Sequence, residues 1–194
     1  MNFLAHIYLS GDNEELTIGN FMADPIKGND YKKYSGDYRR GIILHRRIDS
    51  FTDSHPIVYQ SAHRLFNKFR HYNGVINDVF YDHFLAKNWK KYHSQDLADY
   101  VQDFYELVDE NFEILPEKIQ YMFGYMKSQN WLLNYQNISG IERTLTQMSS
   151  RIKGPPLYEA ISILDKYYQE YENEFTAFFA EIQKYALRKR IEIE

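Results

Sequence analysis

Residues 45–53 read HRRIDSFTD and combine a histidine, two arginines and two carboxylates in little more than two turns of a predicted helix. At about 100° per residue, a helix places His45, Asp49 and Asp53 in one arc with Ile48, so the arc should face the interior. Ionisable side chains in an apolar arc need partners, because burying an unpaired carboxylate is costly. The stretch therefore predicts either a structural ion pair between His45 and Asp49 or a metal site, since residues four apart on a helix can reach one ion.

A second segment, NDVFYDHFL at residues 77–85, has the same property. Asp78 and Asp82 fall in one otherwise apolar helical stripe, where two ionised carboxylates would repel each other. A divalent cation removes that repulsion, and oxygen-rich ligand sets favour Mg or Mn. The alternatives are that one acid is protonated, or that both pair with Arg46 or Arg47. With both segments in view, we favour a metal site.

The composition bounds the class of protein. The chain has 194 residues, of which 44% are hydrophobic and 17% aromatic, and this is enough for one domain over residues 1–194. A net charge of -4 argues against a general nucleic-acid binder. The charges are also unevenly distributed, because residues 39–71 are rich in arginine whereas residues 96–117 are rich in acids.

The chain contains no cysteine, which excludes disulfides, zinc-thiolate sites and thiol nucleophiles. The first residues, MNFLAH, lack the basic region of a signal peptide, and no apolar run approaches the length of a membrane span. We therefore expect a soluble, cytoplasmic protein with no membrane partner.

Helical periodicity recurs along the whole chain, and no segment shows the alternation of a sheet protein. The prediction is an all-α fold, a single-domain helical bundle. Asp12 is the expected N-cap of the second helix, and Pro25 places Asp24 at its end. The predicted helices cover about residues 2–9, 12–24, 37–53, 56–69, 74–92, 95–113, 116–130, 138–152 and 157–190, and the last is one long helix.

With these residues laid out, the chain resembles the acyl carrier protein phosphodiesterase family, which is similar in turn to metal-dependent phosphohydrolases of the HD type. The resemblance covers about the first 150 residues in order. Its motifs are MNFLAH at residues 1–6, GNFMAD at 19–24, HRRID at 45–49 followed by TD at 52–53, and DHFL at 82–85, then Trp89, LP at 115–116, WL at 131–132 and MSSR at 148–151.

The resemblance implies an enzyme that hydrolyses the phosphodiester between 4'-phosphopantetheine and a serine of holo acyl carrier protein, with Mn or Mg as the cofactor. It also implies roles for individual side chains. The expected metal ligands are His45, Asp49, Asp78 and Asp82, with Asp24 and His83 either completing the set or contacting the ligands from outside it. Arg46 and Arg47 would clamp the phosphate, and Asp53 or His6 would orient water or an imidazole.

The substrate would then be bound by groups outside the metal site. Acyl carrier protein is small and acidic, so a basic surface that includes Arg39, Arg40 and Arg64 would attract it. Trp131 could line a channel for the pantetheine arm, although a place in the core is the simpler interpretation of this residue.

Two other functions remain open from the sequence. One is a metal phosphohydrolase that acts on a nucleotide or another small phosphodiester. The other is a helical interaction protein whose buried acids are held by Arg46 and Arg47 without any metal. The sequence leaves the oligomeric state open.

Overall fold

The computed structural model describes residues 2–193, and within this range every regular element is helical. The predicted all-α class is confirmed. The helices, numbered α1 to α11 in chain order, are Phe3–Ser10, Glu14–Phe21, Gly36–Ser54, Pro56–Phe69, Asn73–Lys87, Leu97–Glu110, Glu117–Ser128, Trp131–Asn134, Ile138–Ser149, Ile161–Lys166 and Tyr168–Glu192. Short 3-10 turns lie at Asp30–Lys33, Arg70–Tyr72, Trp89–Lys91, Phe112–Ile114 and Leu157–Ala160.

The ends of the helices follow local chemistry. The cap of α2 is Asn13 and not Asp12, because the Leu16 amide donates to the Asn13 side-chain oxygen at 2.9 Å. The helix α2 ends at Phe21 and not at Asp24. The helix α5 ends at Lys87, five residues earlier than expected, and the Asn88 side chain there donates to the carbonyl of Phe84 at 3.0 Å.

The C-terminal segment differs from the single helix expected over residues 157–190. A 3-10 turn leads into α10, and Tyr167, at φ -120° and ψ 31°, interrupts the helix before α11 begins. The Arg64 guanidinium lies over the rings of Tyr167 and Tyr171, at 5.7 and 5.1 Å from their centroids. These contacts with α4 hold the chain at the break and one turn after it, and such long-range contacts leave no helical-periodicity signal.

The helices α2 and α3 approach each other more closely than side chains would allow. A Cβ on Gly19 would lie 2.1 Å from the carbonyl oxygen of Tyr38, and one on Gly41 would lie 2.2 Å from that of Leu16. Glycine at both positions therefore lets the two backbones touch. This contact carries Asn20 of α2 to His45 of α3.

A core rich in aromatic side chains lies beneath α11, which packs across α1, α3, α4 and α5. Phe175, Phe178 and Phe179 are fully buried on its inner face. Tyr81 of α5 lies edge-on to Phe175, with ring centroids 5.6 Å apart. In the described part of the chain, no helix has both the length and the apolar character that a bilayer crossing requires.

Candidate metal centre

A cleft of about 250 Å³ opens between α1, α2, α3 and the first turns of α5. Its walls carry six of the fourteen site residues that the sequence singled out. The polar side chains that line it are Asn2, His6, Asn20, Asp24, His45, Asp49, Asp53 and Asp78, and the apolar ones are Phe3, Phe21 and Val75.

Two imidazoles and one carboxylate form the centre of the cleft. The Nε2 atom of His6 lies 3.2 Å from Oδ1 of Asp49, and the Nε2 atom of His45 lies 3.1 Å from Oδ2 of the same carboxylate. The two rings are stacked, with centroids 4.1 Å apart. The ligand atoms of His6, His45 and Asp49 all lie within 4.8 Å of one another, so one ion can be reached by all three.

Asn20 fixes the orientation of both imidazoles. Its side-chain nitrogen donates to the carbonyl of His6 and to the hydroxyl of Ser10, each at 2.9 Å, which identifies the other amide atom as oxygen. That oxygen lies 2.9 Å from Nδ1 of His6 and 3.1 Å from Nδ1 of His45. Because an amide oxygen only accepts hydrogen bonds, both Nδ1 atoms must donate, and both Nε2 atoms face the carboxylates.

The charges of the centre are strongly coupled. Burial lowers the pKa of His45, but hydrogen bonds to Asp24 and Asp49 outweigh it and raise the pKa to about 9. Burial raises the pKa of Asp49, yet the hydrogen bond from the protonated His45 outweighs burial and holds it below its usual range. Burial and the neighbouring His45 lower the pKa of His6. Without a cation, one proton therefore resides on His45 between two carboxylates.

Three further acids border this group. Asp24 lies just beyond the end of α2, with Oδ1 3.3 Å from Nε2 of His45, and this hydrogen bond lowers its pKa. Asp53 follows Asp49 by one turn of α3, and burial together with the charges of Asp78 and Asp49 raises its pKa. Asp78 lines the cleft from the side of α5. The cleft thus combines imidazole nitrogens with an excess of carboxylate oxygens, a donor set that suits a divalent cation such as Mn or Mg.

The proton on His45 predicts how the stability of the metal-free protein depends on pH. A pKa raised from 6.5 to about 9 gives stability that is fully present below 6.5 and lost as the pH rises towards 9. We expect the free energy of unfolding of chelator-treated protein to fall by on the order of 2 kcal/mol between pH 7 and 9. Thermal unfolding across this range, compared with His45→Gln, measures it; equal slopes in the two proteins would contradict the assignment.

Two expected ligands do not join the cleft. Asp82 is fully buried, and its oxygens accept hydrogen bonds from the amides of Leu4 at 2.8 Å and Ala5 at 3.3 Å. It therefore satisfies the first amides of α1, which lack partners within that helix. Burial raises the pKa of Asp82 to about 7. Helical periodicity alone is compatible with Asp82 facing either the cleft or α1. The start of α1 lies close to Asp82, and its amides hold the carboxylate on that side.

His83 lies on a different face of α5 from Asp78. Its Nδ1 is 2.8 Å from the carbonyl oxygen of Tyr135, and its Nε2 is 2.8 Å from the hydroxyl of Tyr168. Since a carbonyl only accepts, Nδ1 donates and Nε2 accepts from the tyrosine. Both ring nitrogens are thus engaged in the packing of α5 against α8 and α11.

The two arginines of the central stretch also lie outside the cleft. Arg46 donates to the carbonyls of Gly28 and Ile26, both at 2.9 Å, and its guanidinium lies over the ring of Tyr31 at 5.0 Å. It therefore fastens the loop after α2 to α3. Arg47 is exposed, and its charge acts on Glu192 near the end of α11. The structure brings neither guanidinium to the position of a phosphate clamp.

The expected substrate-binding arginines have different surroundings. Arg40 donates to the carbonyls of Ile193 at 2.8 Å and Arg190 at 2.7 Å, so it caps the end of α11. Arg64 makes a two-fold contact with the Glu174 carboxylate, with both nitrogens at 2.6 Å. Only Arg39 of the three is exposed.

Trp131 lines a separate apolar pocket beside the cleft. This pocket also contains Phe3 and Asn2, which belong to the walls of the cleft as well. The ring of Trp131 is half-buried, and its nitrogen donates to Gln129 at 3.1 Å.

Comparison with known proteins gives a consistent result. Residues 1–182 match the family model described as acyl carrier protein phosphodiesterase. The protein of that name from Photorhabdus laumondii is 33% identical, and the match covers 97% of this chain and 94% of the relative. The one from Pectobacterium atrosepticum is 30% identical, and the match covers 98% of this chain and 100% of the relative. A third, from Escherichia coli O6:H1, is 33% identical over 98% of this chain and its own full length. No solved structure matches, so the likeness to HD-type enzymes stays a prediction.

Proposed function

The chain belongs to the acyl carrier protein phosphodiesterase family, and from this premise we propose that its cleft hydrolyses the diester of holo acyl carrier protein. Water adds to the phosphorus, the bond to the serine oxygen breaks, and the products are 4'-phosphopantetheine and the apo carrier. The observation that supports this role is the group of His6, His45 and Asp49, whose ligand atoms converge in an open cleft.

In this proposal the cleft holds a divalent cation, Mn or Mg, through His6, His45 and Asp49. Asp24 and Asp78 are the acids placed to complete the set. The cation, when bound, offsets the charge of the phosphodiester and makes water a better nucleophile near neutral pH. Asn20 keeps both imidazoles in the tautomer that offers Nε2 to the cleft, as partners of metal-bound histidines commonly do.

Proton transfer is assigned to Asp53 at the edge of the same cleft. Its raised pKa suits a group that accepts a proton from the attacking water and returns it to the departing serine oxygen. Burial is the main cause of this raised pKa, and the charges of Asp78 and Asp49 add to it. The position of Asp53 on α3, one turn after Asp49, gives it reach to the same reacting atoms.

The carrier would dock where basic side chains remain exposed near the cleft. Lys27 and Lys32 lie on the loop that follows Asp24, and Arg39 lies at the start of α3. These charges complement an acidic carrier, and such complementarity mainly raises the rate of association. This loop replaces the face expected around Arg40 and Arg64, whose guanidinium groups are engaged within the protein.

The test is intact-mass analysis of holo acyl carrier protein after incubation with chelator-treated enzyme. We expect conversion to the apo form only when Mn or Mg is added, and slower conversion at high salt when the carrier is not saturating. The same cations should raise the melting temperature of the enzyme alone. A carrier that stays intact while Mn still raises the melting temperature would contradict the substrate but not the metal centre, and nucleotide diesters would be tried next.

A further inference from the structure

A pocket of about 170 Å³ opens next to the metal centre, between the start of α1 and helices α7, α8 and α9. Phe3 and Asn2 line both the pocket and the cleft, so the two spaces meet at the N-terminal end of α1. A larger cavity, of about 320 Å³, lies at Tyr8 and Tyr100 and shares no lining residue with the cleft. Of these two spaces among the described residues, the smaller pocket is therefore the one placed to receive a group attached to a phosphate in the cleft.

The wall of this pocket is mainly apolar. Phe3, Met122, Trp131 and Met148 line it, and all four are half-buried and accessible from the pocket side. Its volume is below the roughly 300–1,000 Å³ of pockets that enclose a drug-sized ligand. A slender chain fits such a space better than a nucleoside does.

Three polar side chains of the pocket each offer an acceptor oxygen, and the exposed Arg151 also lines it. The Asn2 side-chain nitrogen donates to the hydroxyl of Tyr135 at 3.1 Å, which leaves the amide oxygen as its acceptor. The Gln147 side-chain nitrogen donates to Gln129 at 2.7 Å, with the same consequence. The Thr144 hydroxyl donates to the carbonyl of Gly140 at 3.2 Å, so its oxygen can also accept. The pocket thus suits a ligand with apolar carbons and amide N–H groups.

We infer that this pocket binds the pantetheine arm of the substrate, an uncharged chain that carries two secondary amides. The inference rests on the proposed function, because it requires the phosphate to lie in the adjacent cleft. The apolar wall contacts the carbon segments, and the oxygens of Asn2, Gln147 and Thr144 accept from the amides. Recognition of the arm would then let the enzyme discriminate the holo carrier from other phosphodiesters.

The test fills the pocket without touching the metal centre. Thr144→Trp places a large ring in it, whereas Thr146→Trp, on the exposed side of the same helix, is the matched control. We expect Thr144→Trp to raise KM for holo carrier by at least about tenfold and to leave the Mn-induced rise in melting temperature unchanged. Gln147→Leu is a smaller change that should also raise KM. It tests the same pocket if the tryptophan variant fails to fold.

A binding measurement addresses the arm directly. In the presence of Mn, 4'-phosphopantetheine should inhibit the wild-type enzyme at least about tenfold more strongly than inorganic phosphate, and Thr144→Trp should abolish that difference. If the wild type converts holo carrier but Thr144→Trp behaves like Thr146→Trp, the arm pocket is refuted and the proposed function stands. If the wild type does not convert holo carrier, the proposed function fails and the arm assignment fails with it.

Discussion

Replacing Asp49 with asparagine is expected to lower hydrolysis of holo acyl carrier protein by about 10³-fold, or about 4 kcal/mol in the activation free energy. Asp49 contacts both imidazoles, one through each carboxylate oxygen. An amide of the same shape keeps one acceptor but loses the charge that a cation needs. The Mn-induced rise in melting temperature should disappear with the activity.

A matched change separates this effect from a general loss of charge. Asp165→Asn alters an exposed acid on α10, outside the cleft, and should leave activity and Mn response unchanged. The metal-free Asp49→Asn protein should remain folded, because the side chain of Asp49 is 42% exposed. Retention of Mn binding by Asp49→Asn would contradict its place among the ligands.

Replacing Asn20 with leucine should weaken Mn affinity by about 10- to 100-fold, as expected for a residue that orients metal ligands. The change removes the acceptor of both Nδ1 atoms in a fully buried position. Buried donors without partners should also reduce stability by about 1–3 kcal/mol. Titration of the chelator-treated protein with Mn, monitored through the melting temperature, measures the Mn affinity. The melting temperature without Mn measures the loss of stability.

Two variants distinguish orientation of the imidazoles from simple packing. Asn20→Asp keeps an acceptor for both rings, so it should restore most of the Mn affinity that leucine loses. Ser10→Ala removes one of the two acceptors of the Asn20 side-chain nitrogen and leaves the imidazole contacts in place, so the Mn affinity should be unchanged. If Asn20→Asp binds Mn as poorly as Asn20→Leu, the role of Asn20 is packing alone.

The sequence predicted those parts of the centre that depend on one helix. His45 and Asp49 are four residues apart on α3, and the structure places their side chains 3.1 Å from each other. Pro25 led to the expectation that the helix ends at Asp24, but α2 ends three residues earlier, and Asp24 beyond it reaches His45. The all-α class was accessible for the same reason, because helical periodicity is a local property of the chain.

The role of Asn20 was missed, and His6 was expected only as an accessory residue. Both belong to helices whose position depends on α3. Both lie in motifs of the resemblance, MNFLAH and GNFMAD, which do not say what the side chains contact. The glycines Gly19 and Gly41 let α2 approach α3, and this role is visible only once both backbones are in place.

The sequence by itself determined the helical class, the helix that carries His45 and Asp49, and an acid-rich centre on it. The tertiary structure decided which other side chains join that centre. Asp78 and Asp82 have the same spacing as His45 and Asp49. The start of α1 faces Asp82, however, and two of its amides donate hydrogen bonds to the two Asp82 oxygens. The physical reason is that a helix end has amides without internal partners, and where that end lies is set by packing between distant segments.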